Sequence, residues 1–215
     1  ILSGLVGSEM CIRDSLEPMQ NPLVSVCMPC HNAVAYVEQA IYSILNQTWQ
    51  NTEIIVVDDG STDGSAKRLD AFLSSRVLVL HQENRGQCSA ANLALSKAQG
   101  QLIKFFDADD VLSSQAIEYQ VRRLAGRKDA LASACWGRFY NDDLSTFRLD
   151  YQSVWRDLAS LDWLVEAWSD ARPMMQCGLW LIPREILDRS GGWDESLSLI
   201  NDFEFFARVI SPSND

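Results

Sequence analysis

Between Pro22 and Gly126 the chain alternates four times between a short apolar run and a stretch with helical spacing. The runs are LVSVCM (23–28), EIIVVDDG (53–60), RVLVLHQ (76–82) and QLIKFFDADD (101–110). Each is short and rich in β-branched or aromatic residues, so each predicts a strand. Pro29 is expected to end the first, because proline cannot donate to a sheet ladder. After it, Val37, Ala40, Ile41, Ile44 and Leu45 recur at helical spacing. STDGSAKRLDAFL joins capping residues to a helical pattern. QCSAANLALSKAQG (87–100) predicts a helix stopped by Gly100, and SSQAIEYQVRRLAG (113–126) predicts one with a serine start.

Strand–helix order of this kind folds as an α/β domain, a Rossmann-like, mostly parallel sheet with helices on both faces. Past residue 130 the alternation decays. ALASACWGRFY and QCGLWLIP (176–183) read as strands and NDFEFFARVI (201–210) as a helix, while the Trp-rich stretch 145–172 has no clear period. The 215 residues suit one domain. The opening ILSGLVGSEMCIRDSLEPMQ lacks periodicity and the basic start of a secretion signal, and VGSEMCIRDS looks like a translated sequencing-adapter run. Residues 1–21 are therefore expected to be a non-native or disordered leader. Residues 22–215 are expected to form the domain, with the native protein running on past the C-terminus.

The formal net charge of −11 disfavours nucleic acid as a partner, since phosphate backbones are repelled. An anionic ligand would need a cation, a helix N-terminus or a local basic group. No apolar run approaches the roughly 18 residues of a membrane span. Peripheral membrane association stays open.

The acids have a pattern. In open parallel sheets, ligands bind beyond the carboxyl ends of the strands. The first run ends at Cys30-His31-Asn32, the second at Asp58-Asp59, and the fourth at Asp107, Asp109 and Asp110. Clustered carboxylates repel one another unless a cation joins them, and an oxygen-only set favours Mg²⁺ or Mn²⁺. DDGSTDG serves equally well as turn and helix cap. Three acids in four residues at 107–110 exceed what one helix cap needs, although one of them can cap the helix at 113.

Cys27, Cys30 and His31 spell C-x-x-C-H, a c-type haem attachment pattern, and Cys27-x-Pro29-Cys30 spells a redox dithiol. Haem sits poorly beside a carboxylate-rich edge. A thiol oxidoreductase built on Cys27 and Cys30 leaves the acids unexplained. The six cysteines are scattered, so buried, reduced thiols and a cytoplasmic location are expected.

The stretches VSVCMPCHNAVAYVEQAIYSILNQTWQNTEIIVVDDGSTDG, NRGQCSAANLALSKAQGQLIKFFDADD and SGGWDESL…NDFEFF, in this order, resemble the family 2 glycosyltransferases over roughly residues 22 to 210. The resemblance implies the GT-A fold, an inverting hexosyltransferase and a nucleotide-diphospho-sugar donor, with a UDP-sugar expected. It implies a saccharide, lipid-linked or protein acceptor and a place in polysaccharide biosynthesis. It assigns Pro29 and His31 to the loop around the nucleotide base and Asp59 to the base itself. Asp107 and Asp109 match the D-x-D motif, with Asp107 near the ribose or sugar and Asp109 on the metal. Asp202 matches the catalytic base. Two positions depart from the pattern: Asn201 stands where a glutamate is usual, and Ala91 where an arginine is common. Arg85 or Lys104 are the candidates to replace that arginine, and Arg85 reads equally as a solvated surface charge. Among rival readings, a sugar nucleotidyltransferase usually carries a glycine-rich basic loop after the first strand, which PCHNAVAYVEQ lacks. A non-catalytic binding fragment is a further rival. The Trp-rich second half is expected to face the acceptor, although large aromatics more often belong to the core. GGWDESL reads either as a loop closing over the donor or as a tight turn before the last helix.

Overall fold

The computed structural model describes residues 21–141, 143–169 and 175–211, and of the leader only a two-residue strand, β1 (Leu2–Ser3). The rest of the expected leader, including Cys11, lies outside the described residues. The elements that follow are β2 (Val24–Cys30), α1 (Val37–Leu45), β3 (Thr52–Asp59), α2 (Ser65–Asp70), β4 (Val77–Gln82), α3 (Gln87–Lys97), β5 (Leu102–Phe105), β6 (Val111–Leu112), α4 (Ala116–Leu124), β7 (Ala132–Ser133), β8 (Gly137–Tyr140) and β9 (Asp143–Leu149). Then come α5 (Ser160–Ser169), a 3₁₀ turn (Cys177–Leu179), β10 (Trp180–Pro183), α6 (Arg184–Ser190) and α7 (Asn201–Ile210).

The main sheet has the order β4-β3-β2-β5-β10-β7. β4, β3, β2 and β5 are parallel, and β10 runs antiparallel to both of its neighbours. Side chains alternate across it. Val24, Val26, Met28, Ile54, Val56 and Leu102 pack with α1, α2 and α4. Cys27, Ile55, Val57, Ile103 and Phe105 face the other way, toward α3, α5, α6 and α7. Near-continuous apolar runs are what a sheet covered on both faces requires. Each fully buried Val or Ile contributes about 1.5–3 kcal/mol of transfer free energy.

Pro29 does not end the first strand; it lies inside β2, opposite Val57. The reason is the direction of the ladder. Leu102 N–H reaches Leu23 O and Phe106 N–H reaches Cys27 O, so odd-numbered residues of β2 bond toward β5. Position 29 falls beyond the end of β5, so its missing N–H costs the sheet no bond. The expected strand at ALASACWGRFY is two short strands, β7 and β8, and β8 pairs with β9 in a smaller sheet of order β6-β1-β8-β9. QCGLWLIP is half 3₁₀ turn and half β10. The stretch without a period holds β9 and α5, and α6 has no counterpart in the sequence reading.

Among the expected acceptor-side tryptophans, Trp163, Trp180 and Trp193 belong to the core. Trp193 stacks on Phe205 with ring centroids 3.9 Å apart, and Trp180 stacks on Phe206 at 5.5 Å. No described helix is long and apolar enough to cross a membrane.

Candidate active site

A cleft of about 410 Å³ opens at the carboxyl ends of β2, β3 and β5, and Pro29, His31, Asp59, Asp107 and Asp109 all line it. Three strands that end side by side bring together residues up to 80 positions apart in sequence.

The rim is assembled by two interlocked loops. Asn32 adopts a left-handed backbone (φ 52°), and its Oδ1 accepts Thr62 N–H at 2.8 Å. Asn32 N–H donates to Ser61 Oγ, Ala33 N–H to Ser65 Oγ, and Val34 N–H to Asp63 Oδ2. Asp63 also accepts Ser65 N–H at 2.9 Å, opening α2. Asp58 accepts Ser61 N–H and faces His81 Nδ1 at 3.2 Å. DDGSTDG therefore divides its acids: Asp58 and Asp63 build the loops, and Asp59 reaches the cleft.

Asp59 is buried at 3% exposure and heavily engaged. It accepts Gln82 Nε2 at 2.7 Å, Arg85 N–H at 2.8 Å and Gly86 N–H at 2.9 Å. It thus shapes the loop that starts α3, where Gly86 takes φ 93°. His31 stands exposed at the mouth, its Nδ1 2.8 Å from Asp59 O and its Nε2 3.0 Å from Asn32 Nδ2. Tautomer Nδ1–H satisfies both contacts. Asn84, Gln87 and Tyr36 also line the cleft. No motif chemistry marks them; only the loop geometry brings them in. Gln87 donates to Asp107 Oδ1 at 3.0 Å.

The acids on the β5 side repel one another. Burial first, then the charges of Asp202 and Asp109, raise Asp107 to about 7, with Cys177 and Gln87 opposing the rise. Asp110 also rises to about 7, by burial and then by Asp107. Asp202 does not line the cleft. It occupies the first turn of α7, close enough to these acids for their charges to interact. Burial raises it to about 6, with Asp110 adding to the rise. Its Oδ1 is buried with no hydrogen-bond partner, and α7, whose N-cap is Ile200, has no side-chain cap. No acid side chain caps α4 either, which begins at Ala116.

Among the described residues, no group of three His, Cys, Asp or Glu side chains is gathered tightly enough to hold a metal ion. The chemistry of the rim still fits a hard cation. Asp109 is exposed in the cleft, Asp107 lies beside it, and the Asp109 charge helps hold the Asp107 carboxyl above the usual carboxylate range.

Of the two candidate cations, Lys104 is fully buried and bonds Gln120 and Gly178 O, so it cannot reach a ligand in the cleft. Arg85 is two-thirds exposed, 4.0 Å from Glu195. Cys27 and Cys30 are free thiols in the packing layers on opposite faces of the sheet, as the odd spacing along a strand dictates. They cannot pair or reach one cofactor. Burial pushes Cys30 up to about 12, so no reactive thiolate forms.

GGWDESL is a docked turn. Asn92 Oδ1 accepts Trp193 N–H at 2.8 Å, and Asn92 Nδ2 donates to Trp193 O and Glu195 Oε1. Arg208 donates to Ser190 O and Gly192 O from α7.

A parallel sheet covered on both faces, with an acid-lined cleft at its strand ends and an antiparallel β10 beside β5, defines the GT-A class of α/β domain. The family model described as "Glycosyl transferase family 2" matches residues 25–191, and the chain belongs to that family. Among curated relatives, the glycosyltransferase GlyG of Streptococcus pneumoniae is 43% identical over 126 residues, 57% of this chain and 41% of that protein. The putative glycosyltransferase EpsH of Bacillus subtilis is 32% identical over 141 residues, 65% of this chain and 41% of that protein. The matched region thus spans about two-fifths of these relatives' length. Among solved structures, residues 1–349 of Staphylococcus aureus TarS superpose with a TM-score of 0.73 at 19% identity, covering 88% of this chain and 56% of that one. A Pyrobaculum calidifontis mannosyltransferase, in complex with GDP-Man and Mn²⁺, superposes with a TM-score of 0.62 at 23% identity, covering 90% and 54%.

Proposed function

We propose that this chain forms the donor-binding and catalytic part of a glycosyltransferase that moves a sugar from a nucleotide-diphospho-sugar to an acceptor hydroxyl, with inversion. The observation that carries the reading is the meeting of Pro29, His31, Asp59, Asp107 and Asp109 in one cleft at the ends of three strands. TarS has been solved with UDP and with UDP-GlcNAc, and the mannosyltransferase with GDP-Man, which supports a nucleotide-sugar donor; we read it as a UDP-sugar. The base lies by Pro29 and His31, with Asp59 setting the loop around it. Asp107 faces the ribose or sugar. The acceptor is a saccharide, lipid-linked or protein hydroxyl. We place the reaction in the cytoplasm, in polysaccharide biosynthesis.

Asp109 would hold a divalent cation, Mn²⁺ or Mg²⁺, which when bound neutralises charge on the diphosphate leaving group. Asp202 is the base. Its pKa near 6 keeps it ionised at neutral pH yet basic enough to take a proton. As the acceptor oxygen bonds to the anomeric carbon, the bond from that carbon to the β-phosphate oxygen breaks. The hydroxyl proton passes to Asp202, and the nucleoside diphosphate leaves with the electron pair. One displacement inverts the centre and needs no covalent intermediate.

Calorimetric titration with UDP, with and without Mn²⁺, tests the donor site directly. Binding that requires Mn²⁺ is expected. Turnover is then sought with a panel of nucleotide sugars. Equal UDP affinity with and without metal would refute the metal assignment, and no affinity in either condition would refute the donor site.

A further inference from the structure

Lys104 is the only cation fully buried among the described residues. Burial lowers its pKa to about 7, and a buried amine is costly unless its N–H donors find acceptors. Here Nζ donates to Gly178 O at 2.5 Å and to Gln120 Oε1 at 3.1 Å. Gln120 in turn donates to Leu179 O at 2.8 Å and Ala132 O at 2.9 Å. The two side chains therefore grip consecutive carbonyls of the Cys177–Leu179 turn. That turn abuts the acid rim twice. The Cys177 thiol lies close enough to the Asp107 carboxylate for each to shift the other's proton affinity. A Cβ on Gly178 would lie 3.4 Å from Asp110 Oδ2 and 3.3 Å from the Phe106 ring, so the backbone packs directly on both.

We propose that Lys104 and Gln120 form a buried clamp that holds the Cys177–Leu179 turn against Asp107 and Asp110, making Lys104 a positioning residue for the donor site. The geometry explains why a strand position between Ile103 and Phe105 carries a cation at all. Inward-facing carbonyls of an irregular turn need donors, and a hydrocarbon side chain supplies none. The role in donor binding rests on the reading of the acid rim given above. The clamp itself does not.

Two variants of the full chain test it. Lys104→Met keeps the apolar stem and removes the donor. Gln120→Met keeps the Lys104 amine but removes its Oε1 acceptor and the amide bonds to Leu179 O and Ala132 O, leaving Leu179 O with Ala134 N–H alone. Cys177 is 2% exposed and Cys27 is fully buried, so N-ethylmaleimide labelling mapped by peptide mass reads the turn, with Cys27 as the folding control. Both variants are expected to label Cys177 about tenfold faster, with Cys27 still protected, and to bind UDP with Mn²⁺ about tenfold more weakly. If Lys104→Met also exposes Cys27, Gln120→Met decides. Unchanged Cys177 labelling overturns the clamp. Faster labelling with unchanged UDP affinity overturns the positioning role. A wild-type protein that does not bind UDP refutes the donor site alone, and labelling still decides the clamp.

Discussion

The carboxylate of Asp59 accepts the backbone N–H of Gly86 at 2.9 Å, across 27 residues of sequence. This bond ties the end of β3 to the start of α3, and with the bonds to Arg85 N–H and Gln82 it sets one wall of the cleft. Asp59→Asn replaces an acceptor by a donor at a site that receives three donors. The expected cost is about 1–3 kcal/mol, read as a lower midpoint in urea, together with weaker UDP binding. A midpoint equal to wild type would show that the loop does not depend on this carboxylate.

Asp109 is exposed, so Asp109→Ala should leave the melting temperature within about 1 °C while removing the Mn²⁺ dependence of UDP binding. Cys30→Ser should keep that dependence, because its thiol is buried in the sheet layer. Titrating both variants with UDP and Mn²⁺ checks the pair. Retained metal dependence in Asp109→Ala, with loss in Cys30→Ser, would reverse the site assignment.

Asp202→Asn should bind UDP with Mn²⁺ as wild type does and lose sugar transfer by at least about 100-fold, the usual contribution of a general base. Isothermal titration separates the two effects from turnover. Transfer at the wild-type rate would mean that a different group takes the proton.

A Cβ at Gly192 would lie 2.5 Å from Asn92 Oδ1, an atom already held by Trp193 N–H. Gly192→Ala must displace the Asn92 side chain and break its bonds to the docked turn, at an expected cost of about 1–3 kcal/mol. Chemical denaturation measures it. An unchanged midpoint would show that the turn is held elsewhere.

His81 lies between Asp58 and Asp70, at 3.2 Å and 3.0 Å. The bond to Asp58 is the main cause that raises its pKa above the ordinary 6.5, with Asp70 adding to the rise and burial opposing it. A raised folded-state value means that the stabilisation is fully present below about 6.5 and fades as pH climbs through the folded value. His81 is 44% exposed, so screening keeps the effect small. The melting temperature of wild type should exceed that of His81→Gln by about 1–2 °C at pH 5.5 and by less at pH 8.5. A gap that widens with pH would contradict the assignment.

Four alternations of apolar run and helical pattern were enough to define the parallel half of the sheet. The periods differ, 2 for strands and 3.6 for helices, and each buried face leaves its mark along the chain. Carboxylates at run ends likewise marked the cleft, because parallel strands deliver their ends to one edge. The second half was opaque for a physical reason: β8 and β9 are a largely exposed hairpin with no buried face to mark a period, and α5 is placed by Trp163 packing on Trp180, outside its own helix. Only the tertiary structure could divide DDGSTDG into two loop-building acids and one cleft acid, or place Cys27 and Cys30 on opposite faces. It alone moved Lys104 from prospective ligand contact to buried donor, since which side of a strand a residue faces depends on the neighbours it pairs with.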